Sequence, residues 1–404
     1  MLNTSTFAAL KHKNFRYFWF GQCISLMGTF TQRTAQAWLV YSLTRSPLLL
    51  GLLGVFQFGP MFFFSIFAGA LVDRFPKRKI IICSQLVFAI QALTITILAY
   101  SGHIKYWHIL ILALIYGCVQ TIEMPSRQSF FVDLVGKEDL INAISLNSTI
   151  VNLARIIGPA VAGIIIVKTS IQFCFLLNTL SFIPVVYGLF MIKVNGISKN
   201  NNSTNIFNDV KDGLKYIKAN NHLKNTFIIM AIVCTFAMNS DVIIPIFAKD
   251  VLGGTAKDYS LLLSSMGIGS FVGALFMAKR SKKGPKPSLL FIAGIFSSFL
   301  QILMVFSKFY FSSAIMLFII GFCNLVFINI ANSNLQLNSS DEFRGRVMSV
   351  YSLVNLGSTP IGNLFTGFSM EHLGQNMGFT TCGLLSLTLI IIRLIVKKNI
   401  NKNP

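Results

Sequence analysis

Long hydrophobic runs, separated by short polar segments, dominate this chain. Each run holds about 20 or more residues with few charges, which is long enough for an α-helix to cross a lipid bilayer. Twelve runs are predicted to span the membrane, at residues 15–43, 47–72, 78–100, 105–126, 139–167, 170–192, 226–248, 257–279, 288–307, 311–334, 346–371 and 376–396. The pattern therefore predicts an all-α polytopic membrane protein with twelve transmembrane helices.

The longest polar segment, residues 193–225, separates six spans from six. Within it Ile206, Val210, Leu214 and Ile217 recur at helical spacing with lysines on the other side. This pattern predicts an amphipathic helix that lies on the inner leaflet, and a partner-binding helix is the alternative. We therefore expect an N-terminal six-helix bundle at 1–192, a cytoplasmic linker at 193–225 and a C-terminal six-helix bundle at 226–404.

Composition and charge placement agree with a membrane protein. Hydrophobic residues make up 54% of the chain and charged residues only 12%. The net charge of +21 could indicate a nucleic-acid partner, but most of the 34 lysines and arginines lie in alternate loops and at both termini. Positive charge marks the cytoplasmic side. We therefore expect both termini in the cytoplasm, a lipid bilayer as partner, a bacterial inner-membrane location and no nucleic acid.

The sequence offers little support for an enzyme. The seven cysteines form no C-x-x-C pair and the five histidines lack ligand spacing, so no metal site is expected. No G-x-x-x-x-G-K-[ST] loop for ATP is present, and no cofactor is expected. A membrane-embedded enzyme, which would need a nucleophile, base or metal cluster, stays a remote alternative. Coupling to an ion gradient is the simplest energy source.

The end of the second span places one acid among cations. Asp73 lies four residues after Gly69, and Arg74, Lys77 and Arg78 follow it. An acid at a helix end can face the positive N-terminus of another helix, while the cations pair with nearby acids. Such contacts are expected to hold the cytoplasmic side shut.

The fifth span carries Pro159, which lacks a backbone donor, within a face of small residues. That face consists of Ala154, Gly158 and Gly163, and Gly269 and Gly273 form a matching face in the eighth span. Small residues let two helix backbones approach closely. The alternative is ordinary helix packing.

Polar side chains recur at helical spacing in five spans, although polar groups avoid lipid. They are Gln22, Ser25, Thr29, Gln32, Arg33 and Gln36 in the first span, Tyr116 and Gln120 in the fourth, Ser145, Thr149, Asn152 and Arg155 in the fifth, Asn239 and Asp241 in the seventh, and Tyr351, Asn355, Thr359, Asn363 and Thr366 in the eleventh. We expect most of them to line a central water-filled cavity; Arg155 is expected to have a structural role, bonding neighbouring carbonyls. Hydrogen bonds between helices without a cavity are the alternative.

Two charges inside the spans have a hypothesis of their own. Arg33 and Asp241 lie at similar depth in the first and seventh spans. The hypothesis is that they pair when the outside is closed and that Asp241 accepts the transported proton once Arg33 leaves it. A static salt bridge is the alternative.

These motifs resemble the major facilitator superfamily, whose loop after the second span runs G-x-x-x-D-R-x-G-R-K. Gly69, Asp73, Arg74, Lys77 and Arg78 match this pattern, whereas Pro76 replaces its glycine. Stretches 35–41, 124–128, 152–159 and 344–349 most resemble the enterobactin-exporter and macrolide-efflux branch. The Gly158-Pro159 motif resembles one that is characteristic of the superfamily's exporters.

The resemblance implies two six-helix bundles that work by alternating access. It also implies that Asp73 faces the eleventh span, which begins near Arg344 and Arg346, and that Lys77 faces an acid at the cytoplasmic end of the fourth. Glu123 is the candidate for that acid. Many proton-coupled relatives carry an arginine in the fourth span, and here the residues before Gly117 are Leu114, Ile115 and Tyr116.

The expected function is secondary export of a small amphipathic compound, such as a siderophore, drug or metabolite. The expected partners are a small-molecule substrate and protons, and a single chain is expected to act as a monomer. Only the motif in the fifth span favours export. An importer or a lipid flippase of the same fold therefore remains an alternative.

Overall fold

A computed structural model describes residues 7–196, 206–280, 284 and 286–400. The side chains of residues 65–74, 206–210, 287, 341–342 and 397–400 lie outside that description. The described residues form helices and connecting segments without strands. The helices are α1 (Lys13–Thr44), α2 (Pro47–Arg74), α3 (Lys77–Tyr100), α4 (Tyr106–Val135), α5 (Leu140–Lys168), α6 (Ile171–Met191), α7 (Ile206–Ala219), α8 (Asn221–Phe236), α9 (Ser240–Ile246), α10 (Ala256–Arg280), α11 (Pro287–Leu303), α12 (Tyr310–Leu337), α13 (Asp341–Leu373) and α14 (Met377–Ile400).

Ten segments among the described residues are long and apolar enough to cross a membrane. The first and eleventh predicted spans, α1 and α13, are not among them, although they are 32 and 33 residues long. Both helices carry the polar stripes noted in the sequence, and these side chains lower their mean hydropathy.

The fourth span is longer than predicted. Its expected end at residue 126 follows from Pro125, yet α4 continues through this proline to Val135. A proline within a membrane helix is tolerated when neighbouring groups compensate for its missing hydrogen bond. Phe130, Phe131 and Leu134 are buried on the extended part, so packing favours the longer helix. Glu123 therefore lies inside the span and not at its end.

The seventh span, in contrast, is broken. Helix α8 ends at Phe236, α9 begins at Ser240, and a π-helix at Phe247–Val251 follows. Asn239 Nδ2 donates to the Thr235 carbonyl at 2.7 Å, and such side-chain bonds compete with the backbone ladder of a helix. Gln301 Nε2 from α11 donates to the Ala237 carbonyl at 2.7 Å. The break is thus supplied with side-chain partners, as an interruption at membrane depth requires.

Contacts divide the chain into two compact units. The first comprises Met1–Leu43 and Gly59–Ser203, and the second comprises Thr44–Phe58 and Thr204–Pro404. The start of α2 therefore groups with the second unit, whereas the predicted N-terminal bundle at 1–192 contains the whole helix. Phe15, Phe131 and Phe182 lie in the aromatic core of the first unit, and Phe327 lies in that of the second.

The glycine face predicted in the eighth span packs within the second unit. Gly269 and Gly273 of α10 lie against the backbone carbonyls of Phe318 and Phe322 of α12. In return, Gly321 of α12 lies against the Met266 carbonyl of α10. Because backbone meets backbone, a Cβ atom at any of the three glycines would collide. These glycines therefore fix one helix pair inside the unit, in agreement with the packing alternative.

Candidate functional site

A buried group of charged and amide side chains joins three helices of the first unit. We call it the charged cluster; its members are Gln22 of α1, Gln85 of α3, and Glu123 and Arg127 of α4. Arg127 Nε lies 3.6 Å from Glu123 Oε1, and Gln85 Nε2 donates to the same oxygen at 3.4 Å. Arg127 Nη1 donates to Gln22 Oε1 at 3.5 Å. An ion pair with two amide neighbours therefore lies between three helices of this unit.

The predicted polar face of α4 leads to this cluster. Tyr116, Gln120, Glu123 and Arg127 follow one another at steps of four, three and four, which places them on one side of the helix. Gln120 Nε2 donates to Tyr116 Oη at 3.5 Å, and the Tyr116 ring lies 4.8 Å from that of Phe88. Tyr116 and Gln120 therefore lie on the same side of α4 as Glu123, and their role in a cavity stays a prediction.

A second buried group in the same unit consists of neutral side chains. We call it the amide network; its members are Gln32 of α1, Gln91 of α3, and Asn178 and Ser181 of α6. Gln32 Nε2 donates to Gln91 Oε1 at 3.3 Å, and Asn178 Nδ2 donates to Gln32 Oε1 at 2.8 Å. Ser181 Oγ donates to Asn178 Oδ1 at 3.1 Å. Gln32, predicted to line a cavity, is therefore engaged in hydrogen bonds between helices.

The other predicted residues of α1 differ in burial. Ser25 and Gln36 are buried, whereas Thr29 and Arg33 are half-buried. In α5, the side chains of Ser145, Thr149 and Asn152 bond carbonyls of their own helix. They occupy their hydrogen-bonding groups locally, and their role in a cavity stays a prediction.

The lysine after the second span pairs with a different acid from the one expected. Lys77 Nζ lies 2.8 Å from Asp133 Oδ2, whereas Glu123 pairs with Arg127. The assignment of Glu123 to Lys77 is wrong because α4 extends to Val135, which moves the end of the helix ten residues beyond Pro125. Lys77 Nζ also donates to the Ser129 carbonyl at 3.3 Å, so it secures the last turns of α4.

Arg78 secures the end of a different helix. Its Nε donates to the Leu189 carbonyl at 2.8 Å and its Nη2 to the Phe190 carbonyl at 3.1 Å. Both carbonyls belong to the last turn of α6, where a cation is favourable. The chain beyond α6 returns to α3, because the Lys77 and Arg78 amides donate to the Gly196 and Asn195 carbonyls. Gly69, Asp73 and Arg74 lie in α2, and their side chains are outside the described part of the chain.

The Gly-Pro motif of α5 packs against α1. A Cβ atom at Gly158 would lie 2.5 Å from that of Phe30, and Thr31 Oγ1 donates to the Gly158 carbonyl at 3.2 Å. Pro159 and Gly163 are buried, and α5 continues through Pro159 to Lys168. Arg155 is exposed on the same helix. Gly158 therefore lies where α5 and α1 approach closely within the first unit, and its role in gating stays a prediction.

The polar residues of α13 lie around the break in the seventh span. Asn239 is buried, with its Oδ1 close to the position that a Cβ atom of Gly362 would take. Cys234 Sγ lies 3.8 Å from Asn355 Oδ1, and Tyr351 is buried one turn earlier. Asp241 lies half-buried in the first turn of α9. The structure therefore brings Asn239 of the seventh span against Gly362, and Asn355 of the eleventh span against Cys234.

The start of α2 makes a close contact with α13 that the sequence analysis did not identify. A Cβ atom at Gly51 would lie 2.5 Å from the Asn363 carbonyl oxygen, and one at Gly367 would lie 2.6 Å from the Pro47 carbonyl oxygen. Glu371 Oε2 accepts hydrogen bonds from Ser46 Oγ at 2.9 Å and from the Leu48 amide at 3.2 Å. The glycine spacing was available as a signal, but glycines are common in membrane helices.

The linker helix α7 docks on the start of α13 instead of presenting its whole apolar side to lipid. The Tyr216 ring stacks on Phe343 at 4.5 Å, and Arg346 Nη1 lies 4.0 Å from Asp212 Oδ2. The Ser340 amide donates to Tyr216 Oη at 3.1 Å, and this bond lowers the pKa of Tyr216 below its usual value. Ile217 is buried while Leu214 is exposed, so only part of the predicted apolar face meets protein.

The neighbouring Arg344 donates from Nε to the Gln336 carbonyl at 3.3 Å. The eleventh span begins at Asp341, five residues before the predicted start, so Arg344 and Arg346 lie within its first turns. Among the described residues, no group of three histidine, cysteine or acidic side chains could hold a metal ion.

Comparisons with known proteins agree along the whole chain. A family model described as transmembrane secretion effector matches residues 4–403. A staphyloferrin A transporter of Staphylococcus aureus is 23% identical over 392 residues, which cover 95% of this chain and 96% of the relative. A macrolide efflux protein A of Streptococcus pyogenes is 22% identical over 391 residues, which cover 95% of either chain.

Solved structures show the same fold. A nucleoside transporter superposes with a TM-score of 0.76 at 12% identity, over 95% of this chain and 99% of that chain. A peptide transporter gives a TM-score of 0.76 at 15% identity, over 96% of this chain and 95% of that chain. At such identities the likeness concerns the fold alone.

Proposed function

Because the chain belongs to the transmembrane secretion effector family of the major facilitator superfamily, we propose that it exports a small amphipathic compound from a bacterial cytoplasm. The observation that carries this proposal is the match of the family model to residues 4–403. Relatives named for staphyloferrin A transport and macrolide efflux each align with 95% of the chain. The proposed substrates are therefore siderophores, drugs or metabolites of comparable amphipathic character. The protein acts as a monomer in the inner membrane, with both termini in the cytoplasm.

Alternating access is proposed as the mechanism, with the contact between α2 and α13 as one of its moving parts. That contact includes close approaches at Gly51 and Gly367 and the two hydrogen bonds that Glu371 accepts from Ser46 Oγ and the Leu48 amide. Such a contact supports the proposal because water can replace the hydrogen bonds of Glu371, Ser46 and the helix N-terminus when the two helices separate.

The proton gradient is proposed to drive export, with Asp241 as the proton acceptor. An acid within a membrane span is costly and is by default functional or specifically paired. The test is the pH dependence of export in Asp241→Asn, with Asp258→Asn as the matched control. Asp258 accepts hydrogen bonds from the Thr255 amide and hydroxyl at the start of α10, so its loss is a local change. Unchanged export and pH dependence in Asp241→Asn would remove Asp241 from the mechanism.

The direction of transport is tested in cells preloaded with a radiolabelled macrolide or a carboxylate siderophore. Expressing cells are expected to lose one of these compounds faster than control cells, and a protonophore is expected to abolish the difference.

Gly51→Ala is expected to impair export because the added methyl group meets the Asn363 carbonyl. Gly59→Ala is the control, since no atom lies within 4 Å of its added Cβ in the described residues. Energy-dependent accumulation in expressing cells would contradict export.

A further inference from the structure

We propose that the charged cluster of the first unit is a binding subsite for a zwitterionic head group, of the kind that an amino acid or short peptide carries. The proposal rests on the proposed function, because the head group would belong to the exported compound. It assigns Glu123 and Arg127 to binding, in place of the gating role that the family resemblance implies for Glu123.

The first argument is that the cluster is deeply buried and loosely joined. Gln22, Gln85 and Glu123 are only 2%, 3% and 3% exposed, and the Arg127 side chain is 15% exposed. Its contacts nevertheless measure 3.4 to 3.6 Å. Charge-assisted hydrogen bonds are normally about 2.7–2.9 Å long. The contacts within the cluster are therefore weak, and its side chains could form stronger hydrogen bonds with a ligand.

The second argument is that three polar atoms of the cluster have no hydrogen-bond partner in the described part of the chain. These atoms are Gln22 Nε2, Gln85 Oε1 and Arg127 Nε. Each unsatisfied buried group costs about 1–3 kcal/mol. Native proteins keep few such groups, and a cluster of three needs a reason.

The third argument is that the contacts fix which atoms remain available. Gln85 donates its nitrogen to Glu123, so its oxygen is left as an acceptor. Gln22 accepts from Arg127 with its oxygen, so its nitrogen is left as a donor. The cluster thus offers donors from Gln22 and Arg127 together with an acceptor from Gln85, next to the Glu123 carboxylate.

Charge then selects the ligand class. Glu123 and Arg127 already neutralise each other, and a net charge added to a buried site is strongly unfavourable. A zwitterion adds no net charge. Its carboxylate would bind Arg127 Nε and Gln22 Nε2, and its ammonium group would bind Gln85 Oε1 and Glu123. Arginine suits this role because its planar fork matches carboxylate geometry.

The test is calorimetric titration of the purified full-length protein in lipid nanodiscs. The probes are L-alanyl-L-phenylalanine, its N-acetyl derivative and its C-terminal amide, which carry zwitterionic, anionic and cationic ends. The unmodified dipeptide is expected to bind at least tenfold more tightly than either blocked form. Equal binding of all three probes, or no binding of the unmodified dipeptide, would overturn the proposal and leave the free atoms to ordered water.

Matched variants locate the binding. Gln85→Met and Arg127→Lys are each expected to weaken dipeptide binding at least tenfold, and Arg127→Lys keeps the charge that folding needs. Gln91→Met, which removes a buried amide of the same helix from the amide network, is expected to bind as the unsubstituted protein does. Weakening by Gln91→Met equal to that by Gln85→Met would contradict the assignment.

The cellular export assay separates the two proposals. If a macrolide or siderophore is exported but the dipeptide does not bind, the subsite is refuted and the proposed function stands. If the dipeptide binds with the expected selectivity but no compound leaves the cells, export is refuted and the subsite stands.

Discussion

The charged cluster and the amide network lie in the same unit and draw on the same helices, α1, α3 and either α4 or α6. They differ in how completely their atoms are paired. Both amide atoms of Gln32 have a partner in the network, at 2.8 and 3.3 Å. In the charged cluster, three polar atoms have no hydrogen-bond partner among the described residues. A fully paired group holds helices together, whereas the three unpaired atoms of the charged cluster are those that the proposed head group would bind.

The largest difference between the two groups is expected on removing the cation of the cluster. Arg127→Leu leaves Glu123 as an uncompensated buried charge, so the free energy of unfolding should fall by about 3–5 kcal/mol. Adding Glu123→Gln should recover most of this loss. Denaturant unfolding in one detergent measures both. Equal losses in the single and double variants would show that the ion pair does not matter to stability.

The ion pair between the start of α3 and the last turns of α4 is expected to give the second-largest effect. Lys77→Met removes the partner of Asp133, whose side chain is 24% exposed, and the Ser129 carbonyl bond. Because hydrogen bonds to charged groups contribute about 1.5–3 kcal/mol, the free energy of unfolding should fall by about that amount. Lys79→Met, at an exposed position two residues later, is the control and should unfold like the unsubstituted protein. A comparable fall in the free energy of unfolding in both variants would mean that the positive charge of this segment matters and the pairing with Asp133 does not.

The amide network is expected to yield a smaller loss. Gln91→Met removes the acceptor of one long, neutral hydrogen bond to Gln32, which contributes about 0.5–1.5 kcal/mol. The same denaturant experiment measures it. A loss as large as that in Arg127→Leu would erase the distinction between the two groups.

The smallest effect concerns α7 and pH. The docked state lowers the pKa of Tyr216, so it favours the phenolate, and docking should strengthen as pH rises through that lowered value. Tryptic cleavage after Lys215 and Lys218 should therefore be slower, relative to Tyr216→Phe, at pH 9.5 than at pH 7.5. An unchanged ratio would mean that the Ser340 bond does not contribute to docking.

The fold was largely predictable from sequence because the length of the hydrophobic runs and the placement of lysines and arginines in alternate loops are strong signals. The all-helical membrane class and the superfamily are confirmed. The end of α4 and the break before Ser240 were not predictable, since both depend on tertiary partners. Phe130 and Phe131 stabilise the helix beyond Pro125, and Gln301 satisfies the carbonyl that the break releases.

The candidate site was predictable only as a set of residue types. Helical spacing identified Gln22 and Gln32, and the family resemblance identified Glu123, but neither could tell which neighbours each residue would meet. Gln85 and Gln91 were missed because single glutamines in an apolar run carry no pattern. Their roles follow from helix packing, which places one beside a carboxylate and the other beside an amide.

Pro125 lies between the two charged members of the cluster, two residues from either. Because proline has no amide hydrogen, the Thr121 carbonyl has no backbone donor at this point, and the helix resists bending least there. A small change in curvature would alter the separation of carboxylate and guanidinium without unfolding a turn. The two partners of the ion pair thus lie on either side of the most easily bent position of α4, so the curvature of the helix and the strength of the pair change together.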